Sequence, residues 1–364
     1  MKKKVSVYLK AGKRAATSYY RFYQYFDSID ADFKYNLMIS DSKSESFFPI
    51  ARQPKWKQVY IFFYIYIRVL KNLAYDIIRK PNYIVISRCI INKILPYSYI
   101  VILKLLKKNG CQIIWDFDDN IIGFEMSRKT FDCLTKLSDV IVVGSPFLAD
   151  LVSEDYKKKV LLLSTTDGDM HHLLTKDVNE VRIAEIETVI KVVWVGTFST
   201  LHYVERICEA LEKAGLELAK QRKDLQLTVV CDKELEYKPL HFKLVNIKWE
   251  KQIAIAQMLQ SHIGIMPLED NESTRGKCGF KLIQYLSVGL PIIGSTIGFN
   301  KMIIKDSFGI GVKELDIDSW VEAIIQIVKE SSQWRLFSEN AYKEWEDKYN
   351  YTTNLSVWRH MLLK

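Results

Sequence analysis

Short runs of β-branched and other apolar residues, each followed by a segment of helix length, recur along this chain, and the alternation constrains its fold more than any other feature. Tyr83–Ser87 (YIVIS), Val189–Val195 (VIKVVWV) and Ile263–Met266 (IGIM) are clear cases. Such runs lack the apolar–polar alternation of half-exposed strands. They are therefore expected to be buried on both faces, as in a parallel sheet covered by crossover helices. The expected class is α/β.

In the first half, strands are expected at Lys4–Leu9, Asn36–Ile39, Tyr83–Ser87, Gln112–Trp115, Val140–Val143 and Val160–Leu163. Helices are expected at Ser18–Ser28, Lys57–Arg79, Pro96–Lys108, Ser127–Leu137 and Pro146–Ser153. Between Thr165 and Thr188 the apolar rhythm lapses and charge rises, which reads as a linker. The alternation then restarts, with strands at Val189–Val195, Gln226–Cys231, Val245–Lys248, Ile263–Met266 and Ile292–Ser295. Helices follow to Gln221, at Gln252–Ser261 and Phe280–Val288, and at Ile317–Glu330, Trp334–Lys348 and Thr353–Leu363. A chain of 364 residues holds two domains at ~100–200 residues each. We expect a first domain over 1–175, a second over 176–345, and a last helix over 346–364 that crosses back to the first. Two such domains facing one another form a cleft, with ligands at the carboxyl ends of the strands. The loops after strands are thus where chemistry is sought.

Lys and Arg exceed Asp and Glu by 52 to 43, a net charge of +9, so a polyanionic partner is expected. Nucleic acid is not it, because no RNP-like or helix-turn-helix pattern accompanies the charge. The basic residues concentrate instead in Lys55–Lys80, interleaved with Trp56, Tyr60, Phe62, Phe63, Tyr64 and Tyr66. Ile61, Ile65, Val69 and Leu73 have the three–four spacing of a buried stripe, which leaves aromatics and cations on the other faces. That pairing suits an anionic membrane surface. The apolar run Val59–Ile67 is nine residues, far short of the ~20 that span a bilayer. The N-terminus, MKKKVSVYLKAGKR, lacks the apolar core of a signal peptide. Six scattered cysteines with no C-x-x-C pair suggest free thiols and no zinc site. A cytoplasmic protein, peripheral on the inner face of the plasma membrane, is the expectation.

Two post-strand loops of the second half suit a phosphate. Gly196 permits close approach, and Thr197, Ser199 and Thr200 stand at the start of a helix. Arg275-Gly276-Lys277-Cys278-Gly279-Phe280-Lys281 places three cations at a helix start, where the dipole normally favours acids. A bound diphosphate offsets that cost. Asp232 and Trp249, each ending a strand, are further candidates for ribose or base contacts.

The segment HIGIMPLEDNESTRGKCGFKLIQYLSVGLPIIGSTIGFN (262–300) resembles the donor-binding region of family-4 retaining glycosyltransferases of GT-B fold. It is most similar to a bacterial envelope-polysaccharide branch with RGKC-x-[FL]-K-x-x-[EQ]-Y followed by GLP. Trp194–Thr200 (WVGTFST) resembles that branch's first loop in the second domain. Tyr20–Gln24 (YRFYQ), Ile84–Arg88 (IVISR) and Trp115–Ile121 (WDFDDNI) match in the same order in the first. The resemblance implies transfer of a sugar from a nucleotide diphosphate donor to a hydroxyl acceptor, saccharide or lipid-linked, without a cofactor or metal. It implies donor contacts from Lys277, Lys281, Arg275 and Gln284 and acceptor contacts from Gly12, Arg21, Arg88 and Asp119. Lys281 and Arg275 would neutralise the leaving diphosphate. Asp118 aligns with a strand-end histidine, often catalytic in the wider family, and is the candidate that orients the acceptor or stabilises charge on the sugar.

Two departures stand out. The wider family has two glutamates separated by seven residues in this loop, at the positions of Gly276 and Gln284. A GT-B protein that binds a nucleotide sugar without transferring it is the alternative these suggest. Asp116-x-Asp118 and Asp167-x-Asp169 both spell the D-x-D of metal-dependent transferases, but that motif belongs to a different, single-domain fold. No metal site is expected from either.

Overall fold

The computed structural model of the chain describes residues 2–47, 50–91 and 93–364, which form two compact units. The first unit runs to Thr165 and regains the chain at Thr352–Lys364; the second is Thr166–Tyr351. The first boundary lies before residue 175 because Met170 is in the hydrophobic core of the second unit and Asp167 bonds to Gln284 there.

The first unit's sheet comprises β1 (Lys4–Leu9), β2 (Asp32–Leu37), β3 (Tyr83–Ser87), β4 (Gln112–Phe117), β5 (Val140–Val143) and β6 (Val160–Leu162). Its order is β2-β1-β3-β4-β5-β6, with every neighbouring pair parallel. The second sheet comprises β7 (Val189–Val195), β8 (Asp224–Cys231), β9 (Lys243–Lys248), β10 (Ile263–Met266), β11 (Ile292–Ser295) and β12 (Gly309–Val312). Its order, β12-β11-β10-β7-β8-β9, is also wholly parallel. The expected α/β architecture of two parallel sheets is thus observed. Every residue of β3, β10 and β11 is buried, which explains why these strands read as unbroken apolar runs.

In each sheet the strand order reverses once. Counted within the second unit, the order is 3-2-1-4-5-6, and the reversal falls between β7 and β10. In the first it falls between β1 and β3. Helices leave to opposite faces at such points, so a crevice opens outside the strand ends there.

Four expectations shift. β2 spans Asp32–Leu37 and not Asn36–Ile39, because this edge strand pairs in register from Lys4 opposite Asp32 and carries polar residues at alternate positions. The supposed linker contains a helix, Lys176–Glu185. Arg182 anchors it, with its buried guanidinium donating to the carbonyls of Met258, Leu259 and Val288 at the ends of two other helices. Burial lowers the Arg182 pKa to about 9. The helix after β7 breaks into Phe198–Glu205 and Cys208–Lys220. β12 has no counterpart in the sequence reading, since GIGV carries too little apolar mass to register.

The helix Lys55–Arg79 buries Ile61, Ile65, Val69 and Leu73 on the first sheet, the stripe its spacing predicts. Among the described residues no helix is long and apolar enough to cross a membrane. The C-terminal helix Tyr351–Leu363 packs on the first unit. Trp358 lies edge-on to Phe26 (5.1 Å), and the Asn354 amide donates to Tyr25 Oη and the Ser164 carbonyl.

Candidate functional site

At the switch point of the second unit, β7 and β10 pair only through Val192–Ile263 and Val193–Gly264. Beyond that the strands are bridged by a side chain. The Tyr285 hydroxyl accepts from the Val195 amide (3.1 Å) and donates to the Ile265 carbonyl (3.4 Å). Gly264 is required beneath it, since a Cβ there would lie 2.4 Å from the Tyr285 ring. Tyr285 belongs to the helix Phe280–Ser287, so this bridge fixes the helix against the mouth of the crevice.

That helix begins at Gly279, which has φ +65° and no space for a side chain, because a Cβ there would lie 2.2 Å from Ile303 Cδ1. Its cap residue, Gly279, brings no side chain to the first amides of the helix. Lys281, in its first turn, reaches across to β7. Its Nζ lies 5.6 Å from the Trp194 ring centroid, and its Cε would be 2.8 Å from any Cβ on Gly196. Gly196 is thus glycine because Trp194 and Lys281 fill the space beside it. The structure brings Lys281, the helix start and the Gly196 loop together, an arrangement that suits an anion.

The other candidates of this unit are placed differently. Asp232 Oδ1 accepts from the Phe198 amide (2.9 Å), so it already occupies the N-terminus of the Phe198–Glu205 helix. A phosphate would compete with it there, which moves the best anion position toward Lys281. Thr197 and Ser199 are exposed and bonded to each other through their hydroxyls (2.9 Å), while Thr200 is buried. Arg275 forms a two-point ion pair with Asp270 (2.6 and 3.0 Å) within its own loop. Lys277 is half-buried, and Trp249, at the end of β9, is exposed. Gln284 donates its amide to Asp167 Oδ2 (3.0 Å), leaving its carbonyl oxygen as the atom to accept a hydroxyl. Asp167 also accepts from the Asp169 amide and faces Lys251 (3.8 Å), and Lys251 pairs with Asp169 as well.

The first unit has a crevice of its own at the β1–β3 reversal. A cavity of about 390 Å³ is lined there by Lys10, Ala15, Thr17, Ser18, Arg88 and Glu125. Arg88 follows β3 with φ +57°, a backbone that non-glycine residues rarely adopt. Two bonds hold it: its amide donates to the Asp116 carbonyl (2.7 Å), and its carbonyl accepts from Trp115 Nε1 (2.8 Å). So fixed, its guanidinium meets Asp118 (3.0 Å), Asp119 (3.1 Å) and Glu125 (3.2 Å). Lys10 approaches the same Glu125 oxygen (3.5 Å). Burial pushes the Asp118 carboxyl up to about 6, with Arg88 opposing and Asp119 adding to the rise. Burial would raise Glu125 too, but Arg88 and Lys10 hold it below its ordinary value.

Arg21 is not an exposed acceptor contact. It is 1% exposed and donates to both oxygens of Asp116 and to the Leu163 carbonyl (2.6 Å), so it acts as an internal tie between β4 and the end of β6. Gly12 lies against the Asp41 carboxylate, outside the Arg88 cluster. The two D-x-D triplets are thus taken up by Arg21, Arg88, Lys251 and Gln284, and no group of three or more His, Cys, Asp or Glu among the described residues is arranged to hold a metal. Glu125, Lys10 and Tyr285 complete these sites without having been singled out in the sequence, and Asp167, noted there only in a rejected D-x-D triplet, joins them through Gln284. Tyr285 alone had a signal, as the last residue of the RGKC-to-Tyr motif.

The family model described as "Glycosyl transferases group 1" matches residues 190–330. No curated protein matches the chain significantly. The structure is similar to Anabaena HepE in complex with UDP and glucose (TM-score 0.67, 10% identity, 99% of each chain covered). It is also similar to a glycosyltransferase from Rickettsia africae (0.63, 13%, 99% and 98%) and to sucrose-phosphate synthase from Thermosynechococcus elongatus (0.61, 11%, 99% of each). These likenesses show the fold, which is GT-B.

Proposed function

We propose that the protein is a retaining, metal-independent glycosyltransferase. It would move a hexosyl group from a nucleotide diphosphate sugar held by the second unit to a hydroxyl of a saccharide or lipid-linked acceptor held by the first. The observation that carries this reading is the placement of Lys281 against the Gly196 loop at the β7–β10 switch point, inside the segment that the glycosyltransferase model matches.

As the sugar–phosphate bond breaks, charge builds on the departing diphosphate. Lys281, Lys277 and the start of the Phe280–Ser287 helix supply positive potential where that charge develops. The Gln284 carbonyl accepts a ribose hydroxyl. Asp118, held by Arg88 beside Asp119, orients the acceptor hydroxyl or stabilises positive charge on the sugar. The UDP and glucose bound to HepE make uridine diphosphate sugars the first donors to test. Synthesis of a cell-surface polysaccharide or glycolipid, at the cytoplasmic face of the plasma membrane, is the role this chemistry serves.

Calorimetry with nucleoside diphosphates tests the donor site. Lys281→Ala should weaken binding by about 1.5–3 kcal/mol, the weight of a hydrogen bond to a charged group; unchanged affinity removes Lys281 from the site. Turnover should persist in EDTA. Loss on chelation, restored by Mg²⁺ or Mn²⁺, would overturn the metal-independent mechanism.

Gly276 and Gln284 favour a second reading, a nucleotide-sugar-binding protein without transfer. Slow hydrolysis of the bound donor to free sugar in the absence of acceptor separates the two, since only a transferase activates the bond.

A further inference from the structure

A helix that is apolar on opposite faces is normally covered on both. The first half of Lys55–Arg79 is apolar on opposite faces and covered on one. Across from the buried stripe, Trp56, Val59, Phe63 and Ile67 are 54–71% exposed. The neighbouring helix, Tyr97–Lys108, extends this surface with exposed Tyr97, Val101 and Leu105. The two helices are locked together, because Tyr66 stacks on Tyr99 (5.5 Å) and Tyr99 Oη donates to the Tyr66 carbonyl (2.7 Å). Of the six aromatics noted in the sequence, Phe62, Tyr64 and Tyr66 are therefore partly buried in packing, and Trp56, Tyr60 and Phe63 remain outside.

Charge on this face has one sign. The two helices carry eight Lys and Arg residues, and their single acid, Asp76, is fully buried against Ser6 and Tyr8. Lys55, Lys71, Lys104 and Lys108 are exposed beside the apolar residues. The face also has a definite end. Helices of a parallel sheet run antiparallel to its strands, so Trp56 and Tyr97, at helix starts, stand toward the carboxyl edge. Ile94 and Phe124, exposed on the loops after β3 and β4, lie at that same edge, next to Arg88 and Glu125.

We infer that this two-helix face docks on an anionic bilayer surface, with the edge bearing Arg88 and Asp118 turned toward the lipid, so that the acceptor is a saccharide carried on a membrane amphiphile. The inference deepens the transferase reading and rests on it for the acceptor alone. A second copy of the chain is disfavoured as occupant, since a two-fold pairing of this face sets lysines against their own counterparts. Anionic lipid supplies the opposite charge, and each nearby cation strengthens the attraction.

Sedimentation with phosphatidylcholine vesicles, with or without phosphatidylglycerol, tests it. The protein should bind only vesicles that contain phosphatidylglycerol, and high salt should release it. Reversal of Lys55, Lys71 and Lys104 to glutamate should weaken binding about tenfold or more. The same reversal at Lys220, Lys305 and Lys329 in the second unit should leave it within about twofold, as expected if position and not net charge matters. Binding should blue-shift tryptophan emission in the wild type and not in Trp56→Phe. The inference is overturned if wild-type protein stays in the supernatant at low salt, if both reversals act equally, or if the protein self-associates and Trp56→Ser makes it monomeric. Calorimetry with UDP on the same samples keeps the two proposals apart. UDP binding without vesicle binding removes the docking face alone; vesicle binding without binding of any nucleoside diphosphate removes the transferase reading alone.

Discussion

Asp118→Asn is expected to lower the transfer rate by roughly 10²–10⁴-fold, the usual weight of a positioned acid or base, with nucleoside diphosphate affinity unchanged. The carboxylate is the form that orients a hydroxyl or faces a developing cation. Because burial pushes Asp118 up to about 6, the wild-type rate should climb as pH rises through about 6 and then level off. The variant should lose that step. Stability carries the opposite trend: an unfolded aspartate releases its proton near ~3.9, so between that pH and about 6 the folded chain binds the extra proton. The Asp118 contribution to stability therefore falls as pH rises through this window. Relative to the wild type, Asp118→Asn should therefore gain stability between pH 4 and pH 7, read from melting curves of both at each pH. Arg88 keeps Asp119 and Glu125 in the variant, so the loop should hold its shape. An unchanged rate would reduce Asp118 to a structural partner of Arg88.

Arg21→Ala should destabilise the first unit by about 3–5 kcal/mol, the cost of removing one member of a buried ion pair. It leaves Asp116, fully buried, without its principal counter-charge, and it strips a donor from the Leu163 carbonyl. Replacing both partners, Arg21→Met with Asp116→Leu, should recover most of the loss, because apolar groups of similar size need no partner. With two units in one chain a single unfolding free energy is ill-defined. Hydrogen exchange at the amides of β4 reads the first unit directly. Equal loss in the single and double variants would show that packing volume and not charge pairing holds this corner together.

Strands buried on both faces were legible in the sequence to within a residue or two, since nothing but a parallel sheet demands unbroken runs such as YIVIS and IGIM. What escaped is held by polar contacts, which leave no periodic trace. The Lys176–Glu185 helix docks through one buried arginine, and β2 is an edge strand whose pairing, not its apolarity, defines it. The site divides the same way. Lys281 and Gly196 were legible as a cation at a helix start and a glycine after a strand, and the structure sets them side by side. Arg21 resembles an acceptor contact by motif alone; sequence does not disclose that its charge is consumed by Asp116. Glu125 sits in an undistinguished loop, and only folding brings it to Arg88 and Lys10.

The chain leaves the first unit at Thr165 and returns to it at Thr352. This has a bearing on the order of events at the ribosome. The second unit is one uninterrupted stretch and can condense as soon as it has emerged. The first, although begun earlier, lacks a wall until residues 352–364 arrive, for Trp358 closes over Phe22 and Phe26 and Asn354 takes up the Ser164 carbonyl. Synthesis of the nascent chain thus runs from the N-terminus, as it must, but maturation runs the other way: the second unit is finished first, and the first waits, its aromatic seat open, within reach of chaperones.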